Sequence, residues 1–326
     1  MHFSFTHRIC AFMLAASLCA GYAQADEYPR QPIRMVVPFA AGGPTDTVAR
    51  SLSEAMHAAL GQIIVVENKG GAGGMIGTNQ VAAAKPNGYE ILLMNVGFTT
   101  APSLYKKTGY DPEESFEPIG LVVSVPMTII GRSDLPVNDV GELIDYVKTH
   151  EDAMTIAHAG NGSAAHLCSI MFTQAIGVDL LTIPYKGTAP AINDLLGKQV
   201  DLLCDQTTNT TQHINTGIVK AYAMTSKQRI PTLPDLPTMQ ESGYSDFDVG
   251  IWHGLWAPKG TPEPALKKLR TALQAALASP RFRQRMAALG ATVLAAEATP
   301  EALAQKVHQQ TAQWTGLFKK VGIEPQ

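Results

Sequence analysis

The sequence predicts an α/β fold built as two lobes, and three observations carry that expectation. Strand and helix patterns alternate from Ile33 to about Leu93. The alternation restarts at Pro126 and continues to Thr225. A stretch punctuated by Pro231, Pro234 and Pro237 then leads into an extended segment, Val249 to Pro258, and a helical return. Two α/β halves crossed near Val123–Pro126 and again near Asp246–Trp256 leave a cleft between them, a frequent site for a small solute.

The chain has 326 residues, enough for one large or two medium domains with their own cores. Its first segment reads as a secretory leader, not as part of the fold. His2, His7 and Arg8 precede an apolar run, Ile9 to Cys19, which is too short to span a bilayer. Ala23-Gln24-Ala25 supplies a cleavage site, so residues 1–25 are expected to be removed and Asp26 to begin the mature chain. Leu18 stands where a lipoprotein signal needs a small residue before its cysteine, so a soluble product is expected. The expected lobes are then 26–125 with 246–326, and 126–245.

The opening element organises the rest. Ile33 to Val37 is a short apolar strand, Ala40-Ala41-Gly42-Gly43 a turn of small residues, and Pro44-Thr45-Asp46 the start of a helix with Val48, Leu52, Ala55, Met56 and Ala59 on one face. Thr45 or Asp46 is placed to cap that helix. Strand, small-residue loop and helix N-terminus together point unpaired N–H donors at one spot and favour an anion there. Neither the phosphate-loop nor the dinucleotide spacing of glycines is present.

The strand Ile63–Glu67 runs into Asn68-Lys69-Gly70-Gly71-Ala72-Gly73-Gly74, a glycine-dense turn, and a helix follows over 75–84. Tyr89 to Met94 is a strand, and Asn95-Val96-Gly97-Phe98-Thr99-Thr100 is read as the loop at its carboxyl end, where open α/β sheets hold ligands. In the second half, Met154–Ala157 delivers His158-Ala159-Gly160-Asn161-Gly162-Ser163 to another helix. This repeats the opening arrangement: strand, small turn, hydroxyl cap, helix. Further strands cover Leu181–Tyr185, Val200–Cys204 and Ala221–Thr225. Asp205 leaves the end of the second of these.

Composition excludes several classes. The net charge is −3, with no basic stripe, which argues against nucleic acid and anionic membrane surfaces. The histidines and cysteines show no metal-ligand spacing, so no metal is expected. Cleavage leaves Cys168 and Cys204, either bridged or as two buried thiols. Gly162-Ser163-Ala164 lacks the nucleophile-elbow pattern, so Ser163 reads as a helix cap or ligand donor. The rival reading is a secreted hydrolase using Ser163, His166 or Asp205; a third is a ligand sensor that docks a membrane signalling partner.

Several motifs together resemble the Bug family, the periplasmic receptors of tripartite tricarboxylate transporters. They are Pro38-Phe39-Ala40-Ala41-Gly42-Gly43-Pro44-Thr45-Asp46, Val65-Val66-Glu67-Asn68-Lys69-Gly70-Gly71-Ala72-Gly73-Gly74, Asn161-Gly162-Ser163-Ala164-Ala165-His166-Leu167, Pro184-Tyr185-Lys186-Gly187 and Leu233-Pro234-Asp235-Leu236-Pro237-Thr238. The resemblance spans the mature chain. It implies a class II periplasmic binding protein fold, each lobe an α/β sandwich around a mixed sheet, with a hinged ligand cleft. It also implies a monomer without catalytic residues or a cofactor, which captures a small organic carboxylate and delivers it to the transporter's membrane components. The loop with Phe39, Ala41, Gly42, Gly43, Thr45 and Asp46, and the turn Gly160, Asn161, Gly162 and Ser163 with His166, would grip one carboxylate. Asn95, Thr99 and Asp205 would add contacts. The family often has small hydroxyl residues where this chain has Asn95-Val96-Gly97.

Overall fold

A computed structural model describes residues 28–320 and 322–325; the segment expected to be a leader, with Cys10 and Cys19, lies outside the described residues. The first half runs β1 (Ile33–Val37), α1 (Pro44–Leu60), β2 (Ile64–Asn68), α2 (Met75–Ala82), β3 (Glu90–Asn95) and α3 (Gly97–Leu104). A long strand, β4 (Phe116–Arg132), leads to the second half: α4 (Val140–Thr149), β5 (Thr155–His158), α5 (Ala164–Ile176), β6 (Leu181–Pro184), α6 (Thr188–Leu196), β7 (Leu202–Gln206), α7 (Thr207–Asn215) and β8 (Val219–Met224). The chain returns along β9 (Gly250–Pro258) and closes with α8 (Glu263–Ala278), α9 (Pro280–Ala288), β10 (Thr292–Val293) and α10 (Pro300–Lys320).

The strands lie in the order β2-β1-β3-β9-β4-β7-β5-β6, with β8 and β10 also paired to β4. β1 is parallel to β2 and β3, and β5 is parallel to β6 and β7, as helix crossovers require. β4 belongs to both halves. Phe116 to Pro126 pairs with β9, and Met127 to Arg132 is flanked by β7 and β8. The expected break near Val123–Pro126 is therefore no break in the strand, only a change of partner. Pro126 is accommodated because it meets Gly250 at the end of the β9 ladder. Thr225 ties the two crossings: its hydroxyl accepts from Met127 N (3.1 Å) and donates to the Val249 carbonyl (2.8 Å).

The segment read as the loop Asn95–Thr100 is mostly helix. Asn95 Oδ1 accepts from Gly97 N (3.0 Å), and the hydroxyls of Thr99 and Thr100 donate back to the Val96 and Gly97 carbonyls. Pro102 inside α3 removes one helical donor, but the Phe98 carbonyl it abandons accepts from Tyr110 OH at 3.3 Å. Phe98 also stacks on buried Trp256, ring centres 4.5 Å apart, which fixes this corner against β9.

Cys168 in α5 and Cys204 in β7 form a disulfide, which decides between the two states the sequence left open. Each immediately supports the cleft: Cys204 precedes Asp205, and Cys168 lies just over one turn beyond Ser163.

Candidate functional site

Four helices aim their N-termini at one cavity between the halves. α1 contributes Pro44 and Thr45, α5 contributes its cap Ser163 with Ala164 and Ala165, α6 its first residue Thr188, and α7 its cap Gln206. Phe39, Asn95, Ala159 and Asp205 complete the wall. The first two N–H groups of a helix have no partner inside it, so these ends supply donors and positive dipole to whatever occupies the cavity. No lysine or arginine lines it. About 20 Å³ is free inside, room for about one water, so the halves stand closed over it. A larger groove of about 770 Å³ crosses Arg34, Glu67 and Glu90 on the outer edge of the first half. It is open, and Arg34 already pairs with both carboxylates (3.2 and 3.4 Å), so it is the poorer candidate.

On the first half, Gly43 caps α1 without a side chain, and Pro44 sits at the first helical position. Neither Thr45 nor Asp46 is the cap. Asp46 instead braces the loop. Its carboxylate accepts from Gly42 N (2.9 Å), Arg50 Nε (2.9 Å) and Asn68 Nδ2 (3.0 Å). Burial alone would push its pKa up; these hydrogen bonds outweigh that and hold it below the usual carboxylate range. Gly42 needs its left-handed backbone (φ +80°) to make this turn. Its N–H is committed to Asp46, and the Ala40 N–H to the Lys186 carbonyl across the cleft (3.1 Å), so neither faces the cavity.

Behind Thr45 lies a buried polar network. Asn95 Nδ2 and His253 Nε2 stand 3.3 and 3.2 Å from its hydroxyl oxygen. Asn95 and His253 face each other in the β3–β9 ladder, which sets both at the carboxyl end of β3.

On the second half, Ser163 caps α5 as expected, its hydroxyl oxygen accepting from His166 N at 3.2 Å. The Gly162 N–H donates to His166 Nδ1 (3.1 Å), and the Ser163 N–H to the Gly160 carbonyl. The turn is thus braced internally, and the unpaired donors of this helix end belong to Ala164 and Ala165. His166 lies beside His158, ring centres 4.5 Å apart. Burial pushes His158 down to about 4 and His166 to about 3, the latter also because of His158. His166 spends its Nδ1 on Gly162, and Ser163 meets the His166 backbone, so the hydrolase constellation is not assembled in this geometry.

Asp205 is 1% exposed. Its Oδ2 accepts from Asn209 Nδ2 at 2.6 Å, while Oδ1 meets no partner. Burial raises it to about 6, against the opposing hydrogen bonds from Asn209, the Gln206 backbone and the Thr188 hydroxyl. The amide oxygen of Gln206 on the same wall is likewise buried without a partner. A buried polar atom is normally satisfied, so Asp205 Oδ1 and Gln206 Oε1 leave acceptor capacity open on the cavity wall.

A second contact zone lies at the mouth of the cleft. Tyr105 OH donates to the Asn161 carbonyl (3.2 Å), and the Thr100 hydroxyl to the Gly162 carbonyl. A Cβ on Gly70 would meet the Lys186 carbonyl at 2.5 Å, and one on Gly187 would meet Ala40 N at 2.7 Å. The glycine-dense turn after β2 is therefore a seam where the two backbones meet.

Of the expected site residues, Phe39, Thr45, Asn95, Ser163 and Asp205 line the cavity. Ala41, Gly42, Gly43 and Asp46 shape the loop behind it. Gly160 and Asn161 sit on the seam, Gly162 and His166 brace the turn, and Thr99 is turned into α3. Sequence reasoning missed Pro44, Ala159, Ala164, Ala165, Thr188 and Gln206 on the wall, and His253 behind it. Thr188 was visible as a hydroxyl after Lys186-Gly187; His253 carried no local signal.

Among the described residues no group of three or more metal-ligating side chains occurs, and no helix is long and apolar enough to cross a membrane. The fold is an α/β architecture in two halves with a polar cleft between them. Residues 48–323 match the family model described as tripartite tricarboxylate transporter family receptor, and the chain belongs to that family. It is 44% identical over 317 residues to a protein from the TAR-I ttuE-ttuC' intergenic region of Agrobacterium vitis, covering 97% of this chain and 92% of the other. The solved structure of the periplasmic binding protein BugD is similar at 67% identity and a TM-score of 0.91, covering 92% of this chain and all of that one. MatC from Rhodopseudomonas palustris, solved with bound malate, is 39% identical with a TM-score of 0.85, covering 89% and 99%.

Proposed function

We propose that this chain is a periplasmic receptor that closes two lobes, 26–125 with 246–326 and 126–245, over a small organic carboxylate carrying a hydrogen-bond donor. The observation that carries the reading is the convergence of four helix N-termini on one cavity whose wall also holds the unpartnered Asp205 Oδ1 and Gln206 Oε1. The helix ends suit a carboxylate without a lysine or arginine, because charge-assisted hydrogen bonds from fixed N–H groups need no counter-charge. Asp205 Oδ1 is the one charged acceptor on the wall. At neutral pH it is ionised and calls for a hydroxyl or ammonium on the ligand.

The malate held by MatC has this combination, two carboxylates and a hydroxyl. A leader at 1–25 would take the chain to the periplasm, where, as a monomer, it would hand its ligand to the transporter's membrane components. Calorimetric titration with L-malate, succinate and a panel of other small carboxylates tests the reading. Saturable binding, with the ligand recovered unchanged, is expected for at least one donor-bearing acid. Turnover of the ligand, or no binding across the panel, would contradict it.

A further inference from the structure

Thr45 stands on the cavity wall with two internal partners, and the direction of each hydrogen bond can be worked out. Asn95 presents its Nδ2 to Thr45 Oγ1 at 3.3 Å. The amide cannot be reversed without loss, because its Oδ1 already accepts the Gly97 N–H at 3.0 Å. His253 presents Nε2 at 3.2 Å, and its Nδ1 meets no partner. The ring is fully buried, and burial keeps it neutral, so it carries one hydrogen.

That hydrogen can sit on either nitrogen. On Nδ1 it would be a buried donor with no acceptor, which is rarer and costs more than an acceptor left unfilled. On Nε2 it donates to Thr45. The Thr45 oxygen then accepts twice, both lone pairs are used, and its own proton has no acceptor inside the protein. The remaining direction is the cavity.

We propose that His253 and Asn95 are positioning residues that lock the Thr45 hydroxyl as a donor toward the ligand. The inference rests on the reading of this cleft as a carboxylate site. The wall of the first half then offers a donor and refuses one, while Asp205 across the cavity does the opposite. A ligand with a carboxylate and a hydroxyl or ammonium enters in one orientation: carboxylate on Thr45, donor on Asp205. A ligand that places a cation or hydroxyl donor against Thr45 loses that contact.

Two measurements on the full chain test this. In histidine-15N-labelled protein, with His253 assigned by comparison with His253→Phe, long-range 15N–1H correlation at pH 7.5 is expected to show the hydrogen on Nε2. A hydrogen on Nδ1 overturns the proposal, whether or not any ligand binds. With L-malate as the probe, His253→Phe is expected to weaken binding about tenfold, the loss of one hydrogen bond. His253→Gln, which keeps a side-chain N–H, should recover most of that loss. In a Thr45→Val background His253→Phe should add nothing, because its target is gone. An equal loss in both backgrounds would mean a packing role and overturn the proposal. Absence of L-malate binding in the unaltered chain would count against malate as a ligand of the cleft and leave the tautomer result standing.

Discussion

Gly73 and Asn161, from opposite halves of the molecule, meet backbone to backbone: a Cβ on Gly73 would overlap the Asn161 carbonyl oxygen. Gly73 also takes a left-handed conformation (φ +62°), which an alanine adopts at a cost of about 1 kcal/mol. Gly73→Ala should therefore leave each half folded and obstruct closure. Small-angle scattering is expected to show that the unaltered chain contracts on adding a bound carboxylate and that the variant does not. Contraction of the variant equal to that of the unaltered chain would show that the seam does not gate closure.

Asp205 gives the site a pH signature. Its carboxyl, raised to about 6, is neutral below that pH and ionised above it. The proton, when present, sits on the side away from Asn209 and turns the acceptor into a donor. Affinity for L-malate relative to succinate is expected to rise between pH 5 and 7.5. Asp205→Asn should flatten that rise. The measurement is paired titrations of both acids at each pH; a malate preference that falls with pH would refute the role given to Asp205.

Stability of the unliganded chain should fall on acidification below pH 6.5. Burial depresses His158 to about 4 and His166 and His253 to about 3, so the unfolded chain binds protons that the folded chain refuses. Their contribution is full above the ordinary histidine pKa and is lost as pH falls toward 4. Asp205, whose folded pKa lies above its ordinary value, opposes this: it stabilises at low pH and loses that contribution as pH rises through 6. Three groups outweigh one. Melting temperatures at pH 7, 5.5 and 4.5 should decline, and more steeply in Asp205→Asn.

The Cys168–Cys204 bridge closes a segment of 36 residues and joins the elements that present Ser163 and Asp205. Removing it in Cys168→Ala/Cys204→Ala should cost about 2–4 kcal/mol, a typical value for a native disulfide. The readout is the denaturant midpoint. An unchanged midpoint would show that packing of α5 on β7 suffices.

How much of this was legible beforehand follows a physical line. The α1 and α5 helix ends could be read because cap, small turn and apolar period all lie within one local stretch, as in Ala40–Val48 and Gly160–Leu167. Thr45 and Ser163 lie in those stretches, whereas Asp205 enters as a ligand contact only through the family resemblance. Local signals could not say which N–H groups were free. The bonds from Gly42 to Asp46 and from Gly162 to His166 depend on rotamers, and they shift the anion-facing donors to Thr45, Ala164 and Ala165. His253 could not be found, since only the β3–β9 register brings it 208 residues along the chain to Thr45. The glycine run at 70–74 looked like an ordinary turn because its steric purpose lies in the opposite half.

In the proposed site helix ends and hydroxyls, without a lysine or arginine, hold the carboxylate. Thr45→Val/Ser163→Ala tests this most directly, by calorimetric titration with L-malate at pH 7.5 beside Lys186→Ala. Lys186 reaches the cleft through its backbone carbonyl, and its side chain is exposed. At about 1.5–3 kcal/mol for each charge-assisted hydrogen bond, the double variant should lose at least a hundredfold in affinity while keeping its fold, and Lys186→Ala should lose little. Affinity kept by the double variant and abolished by Lys186→Ala would show that a lysine, not the helix ends, holds the carboxylate.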